Sequence, residues 1–163
     1  MPSKYLQIED NVIRYVPWSR IRTDEDGNVQ GILGDAFVLR AEEEYLSVTW
    51  CEYFQGSLPE RIRCAAEAIR NSELTVGSKG RFAVACVKDV DDFLKIANRT
   101  VRFIHEAEAD NPAHVAIRRW PVDDLELLER LAEDIWNVSY SKNDVDAMPL
   151  STCAISARGA ELP

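Results

Sequence analysis

The sequence predicts an α+β fold: a single domain with one mixed, mainly antiparallel sheet of about six strands, two larger helices and one short helix. Three observations lead there. Apolar residues alternate with a period of two in several short runs, and they recur at helical spacing in two longer ones. Strand and helix patterns do not alternate regularly enough for a doubly wound parallel sheet. The 163 residues are 46% hydrophobic, enough for one core, with four Trp, five Tyr and five Phe spread along the chain.

Asn11 to Pro17 reads NVIRYVP, a strand that turns at Pro17-Trp18. Thr23 to Asn28 carries Asp-Gly and forms a turn, and Gly31 and Gly34 loosen the chain until Ala36 to Arg40 resumes as a strand. Glu42 to Glu44 makes an acidic connection to a strand over Leu46–Phe54. There Leu46, Val48, Trp50 and Phe54 share one face, and Ser47, Thr49, Cys51 and Tyr53 the other. Ser57-Leu58-Pro59-Glu60 has the S-x-x-E spacing of a capping box, so a helix starts there and buries Ile62, Ala65, Ala66 and Ile69 before Asn71. Arg81–Lys88 is a strand, and a short helix capped by Asp89 runs to Ala97. Thr100–Glu106 and His114–Trp120 are strands around a turn at Asp110-Asn111-Pro112. Asp123 or Asp124 caps a helix to about Trp136 that buries Leu125, Leu128, Leu131, Ala132 and Ile135. Residues 1–140 form the predicted domain, and 141–163, polar and small, a flexible tail.

Charge narrows the partners. Nineteen basic against 28 acidic side chains give a net charge of −9, which opposes phosphate backbones and excludes nucleic acid as a main partner. No apolar run approaches the roughly 20 residues of a membrane span, and MPSKYLQIED lacks a signal-peptide pattern, so a cytoplasmic protein is expected. Cys51, Cys64, Cys86 and Cys153 form no C-x-x-C pair and read as small buried hydrophobes or free thiols, with Cys51 the best placed as a nucleophile.

The only two histidines, His105 and His114, flank the Asp110-Asn111-Pro112 turn. Pairing 105 with 116 puts both on one face, in reach of a shared divalent metal. Pairing 106 with 116 sets His114 beside Glu106 and Glu108, where an imidazole suits acid–base work. The templates for a phosphate-binding P-loop, a dinucleotide-binding G-x-G-x-x-G, a nucleophile elbow and H-E-x-x-H are missing from the sequence.

A second constellation runs through Arg14, then Ser47-Val48-Thr49, then Glu106-Ala107-Glu108. This order resembles the Arg, Ser-x-Thr or Ser, Glu-x-Glu arrangement of ADP-ribosyltransferases. The resemblance implies NAD as the ligand: an arginine on its phosphate or ribose side, a serine supporting the site, and a final glutamate stabilising positive charge on the nicotinamide ribose.

Trp18, Tyr53, Trp120 and Trp136 are too many for the centre of one core, and aromatics at sheet edges beside acidic loops suit a protein-binding face. The leading expectation is therefore an accessory, regulatory or immunity-type module. It binds another protein through an acidic surface bearing Trp18, Tyr53 and Trp120, without a cofactor. The alternative is an enzyme around the 105–114 hairpin, metal-dependent through His105 and His114 or ADP-ribosyltransferase-like with NAD, using Arg14, Ser47, Glu106, Glu108 and His114. Convergence of the latter residues on one pocket distinguishes the enzyme; one exposed aromatic patch distinguishes the module.

Overall fold

The computed structural model describes residues 4–161 as an α+β chain built on one six-stranded antiparallel sheet. In chain order, β1 (Asn11–Val16) is followed by a small hairpin of β2 (Ile21–Thr23) and β3 (Val29–Ile32), then β4 (Tyr45–Trp50) and α1 (Leu58–Arg70). Next come β5 (Arg81–Cys86), α2 (Val87–Ile96), β6 (Arg102–His105), β7 (His114–Arg118) and α3 (Leu125–Asp134). The chain ends with β8 (Val138–Ser141), α4 (Lys142–Asp146) and α5 (Ala157–Glu161). The main sheet runs β6-β7-β4-β1-β5-β8, every pair antiparallel, while β2 and β3 stand apart as a two-stranded ribbon.

Local chemistry explains where most elements begin. The Ser57 side chain accepts from the Glu60 amide and Glu60 reaches back to the Ser57 amide, the reciprocal cap that the sequence predicts. Asp124 caps α3 through the Leu127 amide. In α3 the buried set is Leu127, Leu128, Leu131 and Ala132; Leu125 is 53% exposed, because the core-facing stripe is rotated from the one expected. The helix after β5 starts at Val87 rather than at Asp89, with no side-chain cap.

Other expectations fail. The strand expected over Leu46–Phe54 ends at Trp50, where Cys51–Tyr53 closes into a 3₁₀ turn. Ala36 to Arg40 forms no strand, because Gly34–Phe37 closes into a 3₁₀ turn lying on α3, so tightly that a Cβ on Gly34 would stand 2.6 Å from the Glu129 nitrogen. Residues 141–161 are not a loose tail. Ser141 ends β8 on the sheet, Val145 is fully buried, and Cys153 is disulfide-bonded to Cys64 of α1. The Arg158 guanidinium also grips both oxygens of buried Asp10, at 2.5 and 2.9 Å, and stacks over Trp50. The reading of all four cysteines as small hydrophobes or free thiols thus holds only for Cys51 and Cys86. No helix among the described residues is long and apolar enough to cross a membrane.

Candidate functional site

β1 and β4 pair only at Val12↔Trp50 and Ile13↔Thr49, whereas β1 pairs with β5 along its whole length. Past Ile13 the two strands part, and Arg14 fills the gap. Its Nη1 donates to the Ser47 carbonyl of β4 at 2.7 Å, and its Nε donates to the Ala36 carbonyl at 3.1 Å. A guanidinium thus satisfies carbonyls that a strand would otherwise have met. Burial lowers the Arg14 pKa to about 10, with no carboxylate in ion-pair contact and no partner for Nη2 among the described residues.

The parting opens a cleft of about 860 Å³, lined among others by Arg14, Ser47, Thr49, Glu108, Asn111 and His114. That volume lies within the roughly 300–1,000 Å³ of small-molecule sites. The hairpin register decides which groups enter it. Pairings of His105 with Val115 and Ile104 with Ala116 are continued by the Glu106 amide donating to the His114 carbonyl, a register one residue from the first considered in the sequence and two from the second. The cause is the compact turn in which Glu108 and Asn111 exchange both backbone hydrogen bonds. Successive strand residues point to opposite faces, so His105 and His114 lie on opposite sides of the sheet and cannot share a metal ion. No group of three metal-binding side chains occurs among the described residues.

His114 faces the cleft side. Its Nδ1 lies 2.8 Å from the Glu106 carbonyl, and its Nε2 lies 3.1 Å from Ser47 Oγ and 2.9 Å from Glu108 Oε1. A carbonyl can only accept, so Nδ1 carries a proton. Nε2 then accepts from the serine when the ring is neutral and donates to Glu108 when it is charged. His105 sits behind, stacked with Trp50 and Tyr53, its Nε2 against the Pro112 carbonyl at 2.7 Å.

Glu106 is withdrawn from the site. Arg118 binds it bidentately, Nε to Oε2 at 2.6 Å and Nη2 to Oε1 at 2.7 Å, and these bonds hold the carboxyl below the usual carboxylate range. Of the Glu-x-Glu pair, only Glu108 turns to the cleft. Asn111 is the residue that sequence reasoning passed over as a turn former. Its Nδ2 donates to Thr49 Oγ1 at 2.9 Å and its Oδ1 accepts from the Ala113 amide, both in the interior, so the Glu108 turn is pinned to β4. A second hydroxyl on β4 after Ser47, with an Asn in the facing turn, was the available signal.

The other candidates disperse. Cys51 is buried, and burial pushes its thiol well above its ordinary value, which disfavours the thiolate a nucleophile needs. Of the three aromatics expected on a binding face, Trp18 is 41% exposed, while Tyr53 and Trp120 are 6% and 3% exposed. Tyr53 packs on Trp50 and Phe54, and Trp120 Nε1 donates to the Phe37 carbonyl at 2.7 Å. Trp136, fully buried, packs on Phe37. No family model, curated protein or solved structure matches the chain.

Proposed function

We propose that the chain is an NAD-using enzyme that cleaves the bond between nicotinamide and ribose, with ADP-ribosyl transfer as its chemistry. The observation that carries this reading is the convergence of Arg14, Ser47, Glu108 and His114 on one cleft from β1, β4, the turn before β7 and the start of β7 itself. Arg14, Ser47 and Glu108 are among the positions at which the chain resembles ADP-ribosyltransferases; His114 lies outside that resemblance.

Arg14 is a partly desolvated cation holding only carbonyls, and an anionic diphosphate on its free Nη2 would restore the charge balance that burial takes away. Glu108 is half-exposed, on a turn that Asn111 braces, and so reaches into the cleft without losing its anchor. As the nicotinamide bond breaks, positive charge grows on the ribose, and a preplaced carboxylate lowers the energy of that charge. The protein-binding module retains Trp18 as its one exposed aromatic anchor and ranks second. The metal-dependent variant lacks a shared face for its two ligands.

The test is nicotinamide release from NAD by the full chain, followed by chromatography, together with a thermal melt in NAD. Release that falls at least about 100-fold in Glu108→Gln, with NAD still raising the melting temperature, supports the reading. Absence of nicotinamide release at millimolar NAD would falsify it.

A further inference from the structure

Ser47 carries more than a supporting hydroxyl needs. Its Oγ lies 3.1 Å from His114 Nε2, and the ring is fixed by the Glu106 carbonyl on Nδ1 at 2.8 Å. The edge of Tyr45 also packs against that ring, and the imidazole side chain is only 5% exposed. A hydroxyl, a base in hydrogen-bond reach and a third group orienting the base constitute an activated nucleophile. The third group here is a backbone carbonyl, which fixes the tautomer that leaves the Nε2 lone pair toward the serine.

We infer that Ser47 is itself the acceptor of the ribosyl group, with His114 as its base; this rests on the NAD reading above. The Ser47 Oγ–C1 bond forms on the nicotinamide-bearing ribose as the C1–nitrogen bond breaks. The bonding pair leaves with nicotinamide as a neutral molecule, and the Oγ proton passes to His114 Nε2. No oxidant or further reactant is required.

The electrostatics follow the moving charge. Positive charge develops first on the ribose and then, once the new bond forms and the proton moves, on the imidazole. Glu108 Oε1 stands 2.9 Å from the nitrogen that receives the proton, so one carboxylate serves both stages. The other nearby carboxylate, Glu106, is engaged by Arg118 and takes no proton. The product is an O-glycoside on the wall of the cleft, so the reaction blocks its own site after one turnover.

The experiment incubates the full chain with NAD and follows nicotinamide, free ADP-ribose and the intact protein mass, with the modified residue located by peptide fragmentation. One ADP-ribosyl group per chain on Ser47, and nicotinamide release that stops near one equivalent, are expected. Ser47→Ala should gain no mass, Ser47→Thr should retain a slower gain, and His114→Gln should slow it by about 100-fold or more, all three with the wild-type circular dichroism spectrum. Nicotinamide released with free ADP-ribose and an unmodified protein overturns the inference, makes water the acceptor and leaves the NAD reading standing. Absence of nicotinamide release overturns both.

Discussion

Reducing the Cys64–Cys153 bond should cost this protein a large part of its stability. The two cysteines are 89 residues apart, so the bond closes a loop over more than half the chain. Taking 89 residues in the chain-entropy relation, the cross-link removes about 15.5 cal/mol/K from the unfolded ensemble, or about 4.6 kcal/mol at 25 °C. For a chain of this size each kcal/mol moves the melting temperature by about 2–4 °C, so reduction should lower it by about 9–18 °C. The assay is a pair of calorimetric melts with and without reductant, alongside thiol titration in denaturant. The oxidised chain should titrate two thiols, Cys51 and Cys86, and the reduced chain four. Four thiols without reductant would refute the pairing. Two thiols with superimposable melts would refute the idea that the bond limits the unfolded state. The same titration on protein taken from its native cells bears on location, since such bonds are rare in a reducing cytosol.

Further outcomes follow from single contacts. Arg14→Gln should abolish the NAD-induced rise in melting temperature, and because Arg14 also holds the Ser47 and Ala36 carbonyls, the variant should lose about 1–3 kcal/mol in urea titrations. An undiminished NAD shift would remove Arg14 from the ligand. Trp120→Phe strands the buried Phe37 carbonyl and should cost about 1–3 kcal/mol by the same measurement; a neutral result would show that the Trp120 bond is dispensable. Asn111→Ala frees the Glu108 turn from Thr49 and should slow nicotinamide release while leaving the NAD thermal shift in place. Burial raises the Glu52 carboxyl above its ordinary 4.5, so the folded state holds its proton more tightly than the unfolded one. That contribution is complete below the unfolded value and is lost as pH rises through the folded one, so Glu52→Gln should gain on the wild type as pH rises above the ordinary carboxylate range. A pH-independent gap between the two proteins would contradict it.

The sequence was legible where one local device decides the outcome. Ser57 and Glu60 announce α1 because both halves of the cap lie within four residues. Alternation from Leu46 onward announces β4 because a strand has only two faces, but it also carries the expected strand to Phe54, past the 3₁₀ turn at Cys51–Tyr53. Arg14, Ser47 and Glu108 could be named as a set, but their meeting depends on the parting of β1 from β4, which no run of residues encodes. The hairpin register escaped because it is set by a turn whose backbone bonds join Glu108 to Asn111, a closure invisible in the Asn-Pro signal. The aromatics misled because both Tyr53 and Trp120 proved to be core residues despite their chemistry: the Trp120 polar end is met by the Phe37 carbonyl, and the Tyr53 ring packs on Trp50 and Phe54. Cys64 and Cys153 paired across a distance that spacing rules do not reach.

The gap beside Arg14 also divides the sheet mechanically. On one side lie β6, β7 and β4, each laddered to the next over four or five residue pairs; on the other lie β1, β5 and β8, joined over six and four. Between these two plates the ladder amounts to Val12↔Trp50 and Ile13↔Thr49, reinforced by the Arg14 guanidinium and by Asn11, whose amide and side chain donate to the Glu52 carboxylate just past β4. Two ladder pairs make this the thinnest seam of the sheet, against four to six on either side. Arg14 belongs to one plate, and Ser47, Glu108 and His114 to the other. A ligand bridging them would act as a rivet, and amide exchange at Ile13 and Thr49 should slow on binding more than exchange at the centre of either plate.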